Sequence, residues 1–407
     1  MKNLCIFCVL ESKNLYICKM RIAYDAKRLF NNFTGLGNYS RTTIDILSEN
    51  FPENEYRLFT PKVKRNEVTE PFLGNKSCVV VEPPKGMPGS VWRTFSEIYD
   101  IARESTDIFH GLSHEIPFGL RARGVPSVVT MHDVAFKTFK KMYHWHDRII
   151  YDAKFRYSCR NADHIIAISE CTKRDVMRFY NIPEERVSVV YQPVHRMFYS
   201  RMGRDEAYRH LAAARFSQPL PSDFMLYAGS INSRKNLLGI VKAMELLPED
   251  IRLPLVIVGN GREYKREVLG YIASHGMERW FVWPQERVSD KALHALYTLA
   301  RVFVYPSFYE GFGLPVVEAM LSGCPVVTSN VSSLPEAGGP SSLFVSPDST
   351  EEISIALSVA ISDDGKRASM IAGGLEYAAR MFEPSVIAAQ LMKIYHTTIE
   401  NFSYGKL

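Results

Sequence analysis

Two glutamates flank a glycine-rich stretch in the second half of the sequence. Glu310 and Glu318 are separated by seven residues that begin Gly-Phe-Gly-Leu-Pro. Glycines let backbone N–H groups approach a ligand, and Pro315 suits the first position of a helix, so the stretch predicts a loop entering a helix. Glu318 is expected in the first helical turn, where the dipole favours a carboxylate. Such a unit offers amides to a phosphate and carboxylates to hydroxyls, as a nucleoside diphosphate sugar requires.

A histidine and two adjacent cations follow other predicted strands. His132 comes directly after the apolar run Ser127–Met131, and Arg234 with Lys235 follows the run Phe224–Ala228 after a short loop. A cation at a helix start can pair with a diphosphate, although both residues could also be solvated surface charges. A lone histidine is more often structural, but the carboxyl end of a parallel strand is where ligands bind. The positions therefore favour functional roles.

Short apolar runs alternate with amphipathic stretches along most of the chain, a pattern typical of parallel sheets covered on both faces. The 407 residues are too many for one core, and a polar stretch at 192–221 separates two blocks of elements. We therefore predict an α/β fold class with two doubly wound, Rossmann-like domains that face a cleft. The predicted strands are Arg21–Tyr24, Tyr56–Phe59, Cys78–Val81, Asp107–His110, Ser127–Met131, His164–Ile168, Val187–Tyr191, Phe224–Ala228, Leu255–Val258, Val302–Tyr305, Pro325–Thr328 and Leu343–Val345.

The domain limits follow from this alternation. The first Rossmann-like domain is predicted at 20–198 and the second at 199–383. Residues 384–407 predict one more amphipathic helix. Residues 1–19 contain an apolar run too short to span a bilayer and lack a small-residue cleavage site, so they are interpreted as an N-terminal extension.

The glutamate segment resembles the signature of a known family. The string Pro306-Ser-x-x-Glu-Gly-Phe-Gly-Leu-Pro-x-x-Glu-Ala is similar to that of the retaining glycosyltransferases of family 4, which have the GT-B fold. The similarity continues through Ser322-Gly-Cys-Pro-Val-Val, Ser333-Leu-Pro-Glu336 and the segment around Lys235, and it covers roughly 20–402. The resemblance implies that the domain at 20–198 binds the acceptor and the domain at 199–383 binds the nucleotide-sugar donor. It also implies a C-terminal helix, at 384–407, that crosses back to the first domain.

The resemblance also implies roles for individual residues. Glu310 would hold the donor sugar hydroxyls, Glu318 the ribose hydroxyls, and Lys235 the diphosphate, while His132 would bond to the donor sugar. Ser230 stands where the family often has an arginine, and Arg234 is expected to take over part of that role. The implied catalytic residues are His132, Glu310 and Lys235; the donor-binding residues are Gly35, Gly37, Arg234, Gly311, Phe312, Gly313, Leu314 and Glu318; the acceptor-side residues are His110, Asn38 and Tyr39.

The implied reaction is transfer of a hexose, with retention, from a nucleoside diphosphate sugar to a hydroxyl in surface polysaccharide or glycolipid synthesis. Mannose from guanosine diphosphate is preferred, and glucose or N-acetylglucosamine from uridine diphosphate stays open. No cofactor and no metal are expected. The main alternative is a nucleotide-sugar epimerase of the same fold. A dinucleotide oxidoreductase would need a fuller glycine fingerprint, and a non-catalytic sugar-binding protein is disfavoured by the assembled phosphate and hydroxyl groups.

Charge and cysteines indicate the compartment and partners. Seven scattered cysteines do not suggest a disulfide framework, which favours a reducing, cytoplasmic location. Residues 1–199 hold 29 Lys and Arg against 22 Asp and Glu, whereas the remainder holds 20 against 22. Together with the aromatic and basic segment Phe136–Arg148, this suggests an anionic membrane surface, the inner face of the plasma membrane, and a glycan or lipid-linked acceptor. An ordinary solvated basic face is the alternative; nucleic acid is not expected.

Overall fold

The computed structural model describes residues 19–93 and 97–404. The predicted N-terminal extension lies outside the described residues apart from Lys19. Within the described ranges, no helix is both long enough and apolar enough to cross a lipid bilayer.

The described chain forms two parallel sheets. The first has the strand order β3-β2-β1-β4-β5-β6-β7, and the second has the order β10-β9-β8-β11-β12-β13. Both follow the Rossmann order. The first three strands are added toward one edge of the sheet, and from the fourth strand onward they are added toward the other edge, so the switch point lies between the first and fourth strands. The strands are β1 (Arg21–Asp25), β2 (Glu55–Phe59), β3 (Cys78–Val81), β4 (Ile108–Gly111), β5 (Ser127–Met131), β6 (His164–Ala167), β7 (Val187–Val189), β8 (Met225–Ala228), β9 (Leu255–Val258), β10 (Phe281–Val282), β11 (Val302–Tyr305), β12 (Val326–Ser329) and β13 (Leu343–Val345).

Helices cover both faces of each sheet, which explains why the central strands are apolar throughout. Those of the first domain are α1 (Lys27–Asn31), α2 (Gly35–Asn50), α3 (Glu70–Gly74), α4 (Gly89–Val91), α5 (Glu97–Arg103), α6 (Ala135–Thr138), α7 (Trp145–Asn161) and α8 (Glu170–Tyr180). The others are α9 (Arg204–Leu211), α10 (Leu237–Glu245), α11 (Glu263–Ser274), α12 (Asp290–Leu299), α13 (Leu314–Leu321), α14 (Leu334–Gly338), α15 (Thr350–Ser362), α16 (Asp364–Met381) and α17 (Pro384–Tyr404).

The prediction of two doubly wound domains is confirmed by these sheets. Each predicted strand agrees with an observed strand to within two residues at either end. The short strand β10 is absent from the sequence prediction. The polar stretch between the domains holds a helix, α9, that packs against α12 of the second domain. Its buried Ala207 and Leu211 explain that contact, and the charged residues around them conceal it in the sequence.

The C-terminal helix returns to the first domain, as the resemblance implies. It packs against α2 and β5. Tyr395, near its middle, is fully buried, and its hydroxyl lies 2.6 Å from Nδ1 of His110 and 3.4 Å from the hydroxyl of Tyr24. A continuous set of buried apolar side chains runs from this face of the first sheet into the second domain. The two domains therefore share part of one core.

Candidate active site

A buried ion cluster joins the ends of the two central strands of the second sheet. Nζ of Lys235, which follows β8, lies 2.6 Å from one carboxylate oxygen of Glu310, which follows β11. The Arg234 guanidinium lies 3.2 Å from the other oxygen. Burial opposes ionisation of Glu310, but the two cations outweigh it, and its pKa is lowered. The structure thus brings together three residues that are predicted from two separate motifs, at the switch point of the sheet.

Local hydrogen bonds fix Lys235 in this position. Asn232 caps the short turn at 233–235 by accepting the Lys235 N–H. Asn236 has a left-handed backbone, with φ of 57°, and its side-chain amide donates to the carbonyls of Pro306 and Pro347. The Lys235 ammonium also contacts the Tyr305 hydroxyl and lies 4.7 Å from the centre of that ring. The sequence suggests that the Lys235 charge serves the phosphates. In the structure this charge is shared with the Glu310 carboxylate and the Tyr305 hydroxyl.

Two serines that follow β12 hold the Glu310 loop. The Glu310 N–H donates to the Ser332 hydroxyl at 3.0 Å. The Ser333 hydroxyl lies 2.8 Å from the Glu310 carbonyl and 2.7 Å from the Phe312 carbonyl. The Phe312 side chain is buried, with its ring 5.7 Å from that of Tyr191. Ser333 begins one of the segments that resemble the family, but no role is predicted for either serine, because each bonds only to backbone atoms.

The glycines of the loop meet two different requirements. A Cβ on Gly311 would lie 2.0 Å from the carbonyl oxygen of His132, so only glycine permits this contact between the domains. Gly313 has φ of 117° and is the N-cap of α13, which begins at Leu314. The loop is therefore shaped by packing as well as by any ligand that it binds.

Glu318 does not lie in the first turn of α13, contrary to the prediction. The helix begins at Leu314, which places Glu318 in its second turn. Its carboxylate accepts a hydrogen bond from the Tyr297 hydroxyl of α12 at 3.2 Å. Burial raises its pKa to about 7. A carboxyl so desolvated is a strong acceptor for a ligand hydroxyl, which is compatible with its predicted ribose-binding role.

His132 is neutral and oriented at the end of β5. Its Nε2 lies 2.8 Å from the Leu112 carbonyl, and because a carbonyl only accepts, Nε2 must carry the proton. Burial lowers its pKa to about 4. The Tyr39 ring meets it edge-on at 4.5 Å. This tautomer leaves Nδ1 as an acceptor for a hydroxyl group.

The predicted acceptor-side residues are placed differently from one another. His110 is fully buried, and both ring nitrogens are bonded inside the first domain, to Tyr395 and to Thr130. Its prediction as an acceptor residue is wrong, because neither nitrogen is available to a ligand. Tyr39 is also buried, with its hydroxyl 3.0 Å from that of Thr130, so only its ring supports the site. Asn38 is exposed and accepts from Arg41.

Gly35 and Gly37 open α2 at the predicted loop of the first domain. Gly35 is exposed, and a Cβ there would meet nothing within 4 Å. Gly37 is buried, and a Cβ there would lie 1.7 Å from the Asn32 carbonyl oxygen. Gly37 therefore allows close packing at the start of α2, while Gly35 leaves free space beside it.

The aromatic and basic segment Phe136–Arg148, which runs from α6 into the first turn of α7, is only partly exposed. Phe136 is buried, Phe139 and Tyr143 are half-buried, and Lys137 forms an ion pair with Asp152. These side chains serve the protein interior, so they are not free to meet a membrane. We call six of the exposed side chains in this region the interfacial surface; they are Lys140, Lys141, Met142, Trp145, Ile149 and Ile150.

Two further features are separate from the ion cluster. A cavity of about 840 Å³ lies between α17 and the strands β6 and β7, at one edge of the first sheet, and includes none of the predicted site residues. Throughout 19–93 and 97–404, no group of three or more His, Cys, Asp or Glu side chains is arranged to hold a metal ion.

Comparison with known proteins agrees with this arrangement. Residues 213–376 match the family model described as glycosyl transferases group 1, and residues 41–196 match glycosyltransferase family 4. The chain is 34% identical over 274 residues to O-antigen chain mannosyltransferase B of Escherichia coli, which covers 67% of this chain and 69% of that protein.

Solved structures share the fold. HepE of Anabaena in complex with UDP superimposes with a TM-score of 0.69 at 15% identity, over 93% of this chain and 100% of that one. Sucrose-phosphate synthase of Thermosynechococcus elongatus gives 0.73 at 17% identity, over 94% and 100%. The two family models together match most of the chain, including the glutamate segment, and the relative of 34% identity is matched over about two thirds of both chains. This chain therefore belongs to the group 1 and family 4 glycosyltransferases and has the GT-B fold.

Proposed function

We propose that this glycosyltransferase moves a mannosyl residue from guanosine diphosphate mannose to a hydroxyl of a growing surface polysaccharide, with retention and without a metal. The proposal is supported by the O-antigen mannosyltransferase of Escherichia coli that is 34% identical. Binding of a nucleoside diphosphate sugar is supported by the HepE structures, one of which holds UDP and one UDP-glucose.

The observation that carries the proposal is the placement of Lys235, Arg234 and Glu310 on both sides of the switch point. Cleavage of the donor leaves negative charge on the diphosphate. Two cations held in a water-poor site stabilise that charge without reorganising. The backbone at the start of α13 adds its dipole. Glu310, held between the cations, is then placed to accept hydrogen bonds from the sugar hydroxyls.

The reaction breaks the bond between the anomeric carbon and the diphosphate oxygen. The acceptor oxygen forms its new bond on the face that the diphosphate leaves, and its proton passes to a diphosphate oxygen. Nδ1 of His132 accepts a hydrogen bond from the donor sugar, since Nε2 is engaged with Leu112. His132 thus orients the sugar and is not the base.

A lipid-linked acceptor would be met at a membrane. The interfacial surface presents Trp145 at 71% exposure and Ile149 at 61%, beside the exposed Lys140 and Lys141. Aromatic and aliphatic side chains settle at the headgroup level, and each basic residue near an anionic surface adds about 1 kcal/mol. This surface follows β5 and His132 in the chain, on the domain expected to hold the acceptor.

The test is release of nucleoside diphosphate from guanosine diphosphate mannose, uridine diphosphate glucose and uridine diphosphate N-acetylglucosamine. Each donor is assayed with and without a mannose-terminated oligosaccharide, and with EDTA. We expect nucleoside diphosphate to be released only from the mannose donor and only when acceptor is present. EDTA should not affect the rate, and NMR should show an α-linked product. Interconversion of the donor without acceptor would indicate an epimerase. Turnover of a uridine diphosphate donor, with none of guanosine diphosphate mannose, would exclude the mannosyl assignment.

A further inference from the structure

The start of α8 lies between the predicted catalytic residues of the two domains. The Thr172 hydroxyl lies 3.1 Å from the His132 carbonyl and 3.2 Å from the Gly311 carbonyl, so its proton is shared between them. His132 belongs to the first domain and Gly311 directly follows Glu310 in the second. One hydroxyl group thus bridges the backbone segments that carry the predicted catalytic side chains of His132 and Glu310.

Three further hydrogen bonds cross the same boundary between the domains. The Ser169 hydroxyl lies 2.6 Å from the Gly311 carbonyl while it accepts the Thr172 N–H as the N-cap of α8. The Glu336 carboxylate of α14 accepts the N–H groups of Glu170 at 2.6 Å and Cys171 at 2.9 Å. These are the first N–H groups of α8, which no intrahelical carbonyl can satisfy. The second domain therefore supplies the Glu336 carboxylate at the N-terminus of α8, where the helix dipole favours a negative charge.

The contacts to Gly311 and the contacts to Glu336 are connected through the backbone of the second domain. Glu336 lies only a few residues after Ser332 and Ser333, which hold the Glu310 backbone. The Tyr309 hydroxyl adds a further contact, at 2.7 Å from the Asp175 carboxylate of α8. The Glu310 loop is thus held by serines on one side and by α8 on the other.

We propose that Thr172 and Glu336 are positioning residues that fix Glu310 relative to His132, so that the active site is complete only when the start of α8 is docked on the Glu310 loop. This inference rests on the proposed transferase function of that site. Neither residue needs to touch the donor. Both act through backbone groups, Thr172 on the carbonyls of His132 and Gly311, and Glu336 on the first amides of α8.

The test compares Thr172→Val with Thr172→Ser. Valine keeps the shape and removes the hydroxyl, whereas serine keeps the hydroxyl. The Ser169 cap bonds the backbone N–H of residue 172, so α8 stays capped in both variants. We expect Thr172→Val, and likewise Glu336→Gln, to lower kcat with guanosine diphosphate mannose at least tenfold. The Kd for guanosine diphosphate and the Tm should change little, and Thr172→Ser should stay within about twofold of the wild type.

Hydrogen exchange gives a readout that needs no turnover. In the ligand-free protein, Thr172→Val should speed amide exchange in 309–313 and 169–173 and leave the peptides of α11 unchanged, while Thr172→Ser should match the wild type. Wild-type exchange and kcat in Thr172→Val would overturn the inference, as would equal losses in the valine and serine variants. If the wild type turns over no donor, the proposed function fails, and the exchange pattern still decides whether α8 holds the loop.

Discussion

At the residue scale, the ion cluster concentrates charge where water is scarce. Glu310 is 7% exposed and Lys235 is 9% exposed. Burial lowers the pKa of Lys235, and the neighbouring Arg234 adds to that effect, while Glu310 opposes it. Buried charges persist only when each has a partner. The cluster therefore depends most on Glu310, because its removal leaves two buried cations without their shared partner, whereas Arg234 still pairs with Glu310 when Lys235 is removed.

A double-mutant cycle on Glu310 and Lys235 measures this interdependence. Removing one member of a buried ion pair costs about 3–5 kcal/mol because the other charge stays buried and unpaired. We expect Glu310→Met to lower the free energy of unfolding by about that amount, because both cations lose their partner. Lys235→Met should lower it by less, because Arg234 still pairs with Glu310. The double variant should lose less than the sum by at least about 1 kcal/mol. Urea unfolding supplies all four values, and strict additivity would contradict the cluster.

Glu318 predicts a pH dependence of stability. Its folded pKa of about 7 lies above the ordinary value of 4.5, so the folded state binds a proton more tightly than the unfolded state does. Stability should therefore fall as pH rises from about 4.5 through 7, by up to about 3 kcal/mol. Glu318→Gln should remove this component. Urea unfolding at pH 5 and pH 8 checks it, and an identical change in both proteins would refute the shift.

Nucleotide binding should be coupled to the same proton. Ribose hydroxyls that donate to the Glu318 carboxylate favour its charged form, so guanosine diphosphate should release a fraction of a proton near pH 7. Calorimetry in two buffers of different ionisation enthalpy measures that release. We expect it in the wild type and not in Glu318→Gln, whose affinity should fall about tenfold. Equal affinity in both would remove Glu318 from the site.

At the element scale, the loop between β11 and α13 depends on a glycine that touches the other domain. A Cβ on Gly311 would lie 2.0 Å from the His132 carbonyl oxygen, whereas a Cβ on Gly270, inside α11, would meet nothing within 4 Å. We expect Gly311→Ala to reduce kcat by about two orders of magnitude or more, since a displacement of about 1 Å at reacting groups has an effect of that size.

Gly270→Ala is the matched control for that substitution. It should leave kcat unchanged and raise the free energy of unfolding by about 0.5–1 kcal/mol, because alanine is the better helix former. Steady-state kinetics and urea unfolding on the two variants check both halves. Normal turnover by Gly311→Ala would mean that the loop does not need its contact with His132.

At the scale of the whole molecule, the charge asymmetry of the chain bears on membrane binding. We expect the protein to bind vesicles that contain anionic lipid at low salt, and binding to weaken steeply as salt rises. Replacing Lys140 and Lys141 by Glu should weaken binding about tenfold or more, at about 1 kcal/mol for each basic residue lost. Trp145→Ala should weaken it at all salt concentrations. Vesicle sedimentation measures each effect.

The control carries the same change of charge on the other domain. Lys291 and Lys366 are exposed in the second domain, and their replacement by Glu should leave vesicle binding intact. Lys137 is not a useful target, because its ion pair with Asp152 would be broken. If the wild type ignores anionic vesicles at low salt, or if both charge variants lose binding equally, the interfacial surface is not what binds.

The sequence alone determined the two-domain α/β architecture, the positions of nearly all strands along the chain and the loops that hold the candidate site residues. These features are encoded locally, in runs of apolar residues, in the glycine-rich turn at 311–313 and in the spacing of Glu310 and Glu318. Among the described strands only the shortest, β10, escaped, because two residues carry no periodicity. The helix α9 in the polar stretch was also missed, because charged neighbours mask its two buried positions.

The tertiary structure decided which side chains meet. Glu310 and Lys235 are 75 residues apart in the chain, and Thr172 and Gly311 are 139 apart, so no local pattern reports their contacts. The same holds for His110, whose position at a strand end suggests a ligand site, whereas Tyr395, 285 residues away, occupies its ring nitrogen. Sequence patterns report the conformation of a segment; hydrogen-bond partners and burial depend on which segments fold against one another.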